Sequence, residues 1–154
     1  MANPMYGSNA ADNALDEGSV VATGVNRTLK LSEAGSTVIL LDGGGYTVKL
    51  PVPKRDGVTF DFIYGGAAAE ANDITIDTQS DTRYFLGALQ GEDTDSTGDS
   101  NAIIAPDGNS NSKVALKTVE AGTWLKAVSV GGLWYLIGVV YGATATFAVY
   151  ADQS

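Results

Sequence analysis

Carboxylates are the main chemistry-bearing groups in this chain, and two arrangements of them suit known kinds of site. The loop Asp93-Thr94-Asp95-Ser96-Thr97-Gly98 places acids at its first and third positions and Gly at its sixth, as a calcium loop begins. Its twelfth position, where a bidentate Glu closes such a site, is Ile104, so the expectation is a solvated loop without a metal. Asp61, Asp73 and Asp77 fall in alternating segments, and on neighbouring strands they would suit paired-carboxylate acid–base chemistry. Outward Asp residues are ordinary on a sheet with one wet face, and solvation is again the expectation. The chain has no His and no Cys, which removes the commonest general base and the thiolate nucleophile. A Ser nucleophile would need a Lys base, and no flanking motif supplies one. The glycines at 43–45, 65–66 and 131–132 fit turns, and none opens a helix able to cradle a phosphate. The residues read as those of a protein that is not an enzyme and takes no cofactor.

Binding chemistry leaves more to work with. Trp124, Trp134, Tyr135 and Tyr141 could form a sugar-stacking platform, but they sit among Val, Leu and Ile, which suits a core or a subunit interface equally well. Eighteen acidic against nine basic residues give a net charge of −9, and the cations are scattered singly or in pairs. Such a surface repels phosphate backbones, so nucleic acid is not an expected partner. No apolar run approaches the length of a membrane span, and the first residues lack the apolar centre of a secretory signal. Synthesis in the cytosol and no membrane partner are the expectations.

The elements that must position these groups read as strands. Ala121 to Gly142 holds two β-branched and aromatic runs either side of Gly131-Gly132, a pair that takes positive φ freely and suits a tight hairpin. The arm Trp134 to Tyr141 is apolar on both faces, with Trp134, Leu136 and Val140 on one and Tyr135, Ile137, Val139 and Tyr141 on the other. Such a strand is expected to be covered on both sides, by its own fold or by a partner chain. Upstream, Tyr46, Val48 and Leu50 alternate with Thr47 and Lys49 until Pro51 and Pro53 stop the strand. Val58, Phe60, Phe62 and Tyr64 then share one face, with Ile63 the exception among the residues opposite. Ile74 and Ile76, Val114 and Leu116, and Phe147 and Val149 mark further strands, whereas Gln90 to Ser112 reads as a long exposed loop around a short strand at Ala102–Ala105. Residues 1–19 lack periodicity and read as an arm, with Met5, Tyr6 and Leu15 as anchors for a partner. Fully extended, such an arm reaches roughly 60 Å. With 154 residues the chain reads as one domain at 20–154: an all-β antiparallel sandwich or jelly-roll-like module of about ten short strands.

An ordered set of segments carries a resemblance. LSEAGSTVIL (31–40), YTVKLP (46–51), GVTFDF (57–62), NDITI (72–76) and GLWYLIG (132–138) resemble, in this order, the head decoration (cement) proteins of tailed bacteriophages. The likeness runs over most of residues 28–148, and similar modules occur in fibres and other virion appendages. It implies a sandwich on the outer capsid surface, often a homotrimer, whose partner is the major capsid protein and which has no catalytic residues to carry over. Under that resemblance Met5, Tyr6 and Leu15 of the arm and Trp134, Tyr135 and Tyr141 of the apolar strand are the expected capsid or intersubunit contacts. The alternative is a glycan- or receptor-binding module of a fibre. The acidic insertion at 91–101 is longer than the family pattern leads one to expect.

Overall fold

In the computed structural model, the described residues are 20–66, 71–95, 101–143 and 146–153. The arm anchors Met5, Tyr6 and Leu15 lie outside them. The described chain is all-β, with two 3-10 turns at Leu31–Glu33 and Asp81–Arg83 as its helical pieces. Its thirteen strands are β1 (Val20–Thr23), β2 (Arg27–Thr28), β3 (Thr37–Leu40), β4 (Tyr46–Lys49), β5 (Thr59–Tyr64), β6 (Ile74–Asp77), β7 (Phe85–Leu86), β8 (Leu89–Asp93), β9 (Asn101–Ile104), β10 (Lys113–Leu116), β11 (Trp124–Val130), β12 (Leu133–Gly142) and β13 (Ala148–Ala151).

Two sheets form. The larger runs β1-β3-β5-β11-β12-β8-β9, with β7 also paired to β12, and the smaller runs β13-β10-β6-β4-β2. The central hairpin is as expected: Gly131 and Gly132 both take positive φ, and β11 and β12 pair from Val130↔Leu133 to Trp124↔Val139. Pairing elsewhere departs from the antiparallel expectation. β1 with β3, β3 with β5, β2 with β4, β4 with β6, and β12 with both β7 and β8 are parallel, so both sheets are mixed. Alternation in a strand encodes which face is buried, not the direction of its neighbour.

The apolar sides of the two sheets make one core. Phe60, Phe62, Trp134 and Leu136 descend from the larger sheet; Ile74, Ile76, Val114 and Leu116 rise from the smaller, all but fully buried. Phe60 and Trp134 pack with ring centroids 6.2 Å apart, and Phe85 meets Tyr150 edge-on at 6.0 Å. Trp134 is thus a core residue at 0% exposure. That corrects its expected place among the contact residues: the indole is the largest apolar body on the strand and takes the inward side.

Two glycines allow this packing. A Cβ on Gly91 would overlap the ring of buried Phe147, and one on Gly138 (φ 146°) would overlap the Trp124 carbonyl on the paired strand. The stretch read as a loop from Gln90 holds β8 and β9, paired antiparallel from Leu89↔Ile104 to Glu92↔Asn101. Gly91 hides β8 in the sequence, because the side chain that would complete its apolar alternation is supplied by Phe147.

Candidate docking surface

The carboxylates expected to be solvated are not brought together. Asp61 lies on β5 of the larger sheet, 3.5 Å from Lys126 on β11. Asp73 and Asp77 sit at opposite ends of β6 in the other sheet. Asp73 pairs with Lys117, while Asp77 is buried and accepts from Gln79 N at 2.6 Å and Gln153 Nε2 at 2.7 Å. Among the described residues no cluster of three acids could hold a metal. Asp93 of the would-be calcium loop ends β8 and accepts from the Asp95 N–H just beyond it, and Ser96 to Gly98 lie outside the described residues. Asp107 instead organises a turn: the backbone N–H groups of Asn109, Ser110 and Asn111 donate to its Oδ1 and hold its carboxyl well below the usual range. Its other oxygen accepts from Ser110 Oγ at 2.8 Å.

The surface that stands out is the outer face of the larger sheet. Cross-strand register aligns Ile39, Ile63, Trp124 and Val139 in one row over β3, β5, β11 and β12. One pair along, Ile137 flanks the Asp61–Lys126 ion pair, and beyond it Val128 faces Tyr135. Ile63 is 46% exposed, Trp124 49%, Tyr135 39% and Ile137 44%. These side chains alternate with the core residues, so the core between the two sheets does not cover them. A monomer surface ordinarily scatters such groups singly; here they adjoin across four strands.

The outer face of the smaller sheet has the opposite character. Thr28, Lys49, Asp77 and Lys113 form one row, and Thr47, Thr75 and Ala115 the next. A cavity of about 310 Å³ there is lined by Asn26, Arg27, Thr28, Thr47 and Lys49, and Arg27 is committed to an ion pair with Glu33.

Charge is divided along the strand axis. At the end where β3, β5 and β12 finish and β11 begins, Asp42, Glu92, Asp93, Asp95 and Glu120 gather. Tyr64 donates to Asp42, Thr94 to Glu120 and Gln90 to Glu92, but among the described residues no cation pairs with any of the five. Lys54 and Arg55 lie at the other end, beside the Gly131-Gly132 turn: Arg55 O accepts from Ser129 Oγ and Asp56 Oδ1 from Gly131 N.

No protein-family model matches this chain, and a search of the curated proteins finds no match. The site therefore rests on its own residues. Of the strand residues expected to make contacts, Tyr135 and Tyr141 lie on the outer face, Tyr141 half-buried, and Trp124 stands there in place of Trp134. Ile39, Ile63 and Ile137 were not singled out as contact residues. The available signal was Ile63, the one apolar residue on the polar side of an otherwise regular strand.

Proposed function

We propose that the protein is a structural virion component, a decoration protein that binds the outside of a tailed-phage head and stabilises it by bridging major capsid protein subunits, acting as a homotrimer. The observation that carries this reading is the apolar outer face of the larger sheet, Ile39–Ile63–Trp124–Val139, on a fold in which no cluster of acids able to hold a metal forms among the described residues. A protein that binds only the assembled shell stabilises that shell by mass action, and many copies on a lattice make modest contacts collectively strong. The net charge of −9 keeps the free protein soluble and away from the packaged genome.

A glycan-binding module of a fibre is supported less well. Trp124 is exposed, but its cross-strand neighbours are Ile63 and Val139, and the polar pair beside them on the face, Asp61 and Lys126, is engaged with itself rather than turned to orient a sugar over the ring. Heating expanded heads of the parent phage with and without the purified protein tests the reading. Saturable binding and a higher temperature of head rupture are expected. Heads that neither retain the protein nor gain stability overturn it.

A further inference from the structure

We infer that the outer face of the larger sheet seats a partner segment of defined chemistry: a stretch of apolar side chains flanked on one side by Lys or Arg, presented by the shell protein. This rests on the decoration reading and specifies its contact. The apolar row Ile63–Trp124–Val139 crosses the strands, and the acidic end of the sheet begins within two residues of it: Tyr141, two positions past Val139, pairs with Glu92. Glu120 joins the same border through its backbone bond to Tyr141 O and its side-chain bond from Thr94. With a rise of about 3.4 Å per strand residue, the carboxylates stand roughly 7–10 Å from the row. A segment lying on the row therefore places its apolar groups over Trp124 and any neighbouring cation within reach of Glu92 and Glu120.

A second copy of this chain fits less well. Turned over to oppose charges, it would bring Lys54, Arg55 and Asp56, one net positive charge, against five acids without a cationic partner among the described residues. Among the described residues the only cation on the face itself, Lys126, already faces Asp61.

The test combines head binding with a readout that needs no head. Co-sedimentation with expanded heads is measured for the wild type and for Trp124→Ser, Ile63→Ser, Glu92→Gln/Glu120→Gln and Lys49→Ser/Lys113→Ser variants in 50 and 500 mM NaCl. Trp124→Ser and Ile63→Ser should each weaken binding at least tenfold at both salts. The Glu-to-Gln pair should weaken it several-fold at 50 mM and little at 500 mM, since screening removes its contribution. The Lys-to-Ser pair, on the other sheet, should bind as wild type. Wild-type binding that survives both apolar substitutions overturns this contact and leaves the decoration function standing.

Wild-type protein that fails to bind heads overturns the function, and the surface is then judged with peptides. An acetylated heptapeptide of four Leu followed by three Lys should shield Trp124 from acrylamide quenching, and one of four Leu followed by three Glu should not. Equal shielding or none overturns the inference. So does a concentration-dependent dimer abolished by Trp124→Ser, which would give the face to a second copy.

Discussion

The two tryptophans separate what stabilises the fold from what it presents. Trp134 is fully buried against Phe60, so Trp134→Ala should cost about 3–5 kcal/mol of unfolding free energy by denaturant titration. Its indole N–H has no hydrogen-bond partner among the described residues, so Trp134→Phe loses no hydrogen bond and should cost clearly less. Trp124, half exposed on the outer face, should tolerate Ser within about 1 kcal/mol. Gly91 is the converse case: Gly91→Ala forces a methyl into the ring of Phe147 and should cost about 1–3 kcal/mol, read as a lowered denaturant midpoint at unchanged slope.

Asp107 has a pH signature. Its folded carboxyl titrates below its ordinary value of 3.8, so its contribution to stability is present above that value and is lost as pH falls through the lower, folded one. Carboxyl chemical shifts followed from pH 5 downwards should show Asp107 still ionised after the ordinary carboxylates have protonated. A midpoint near 4 for Asp107 would contradict the turn geometry.

Among the elements, the β11–β12 hairpin carries the larger sheet, since β5 pairs on one side of it and β7 and β8 on the other. Gly138→Ala places a methyl into the Trp124 carbonyl across the ladder, at a φ that a side chain rarely adopts. It should cost more than about 3 kcal/mol and accelerate amide exchange along β11 before that of β6 or β10. Insoluble expression of this variant beside a soluble Gly44→Ala, whose added methyl meets open space at a φ open to any side chain, gives the same answer.

The hairpin was legible because Gly131-Gly132 between two β-branched runs has few other uses. The segments at 46–49, 59–64, 74–77 and 113–116 were legible by alternation. Strand direction was not, because parallel and antiparallel neighbours bury the same alternate residues. Nor were β7 and β8: Gly87, Gln90 and Gly91 leave too few apolar side chains for a period to show. The apolar outer face was half legible. Apolar residues on both sides of Trp134–Tyr141 announced a surface needing cover, but which tryptophan it carried depended on the pairing of β11 with β5, a contact more than sixty residues apart in sequence.

At the scale of the whole molecule, charge is both excessive and divided. A net −9 on 154 residues repels itself, and the repulsion is screened once the Debye length falls to about 8 Å near 0.15 M salt. Thermal unfolding should therefore rise in midpoint between 10 and 200 mM NaCl. A midpoint that falls would mean that ion pairs such as Arg27–Glu33, Asp73–Lys117 and Asp61–Lys126 outweigh the excess of like charge.

The registers of β1 and β13 also decide what this module is able to carry. Val20 is level with Thr37, and Ala151 with Lys113, so the described backbone enters and leaves at the Lys54–Arg55 pole, one strand on each sheet. Gln153 fastens the exit there through Asp77, Ser112 and Asp81. Cargo genetically joined directly after Gln153 would accordingly project from the pole remote from the acidic border, clear of the proposed contact face. A fluorescent protein added in that position should decorate heads at wild-type occupancy, whereas the same protein inserted at Gly122, beside Tyr141, should block attachment.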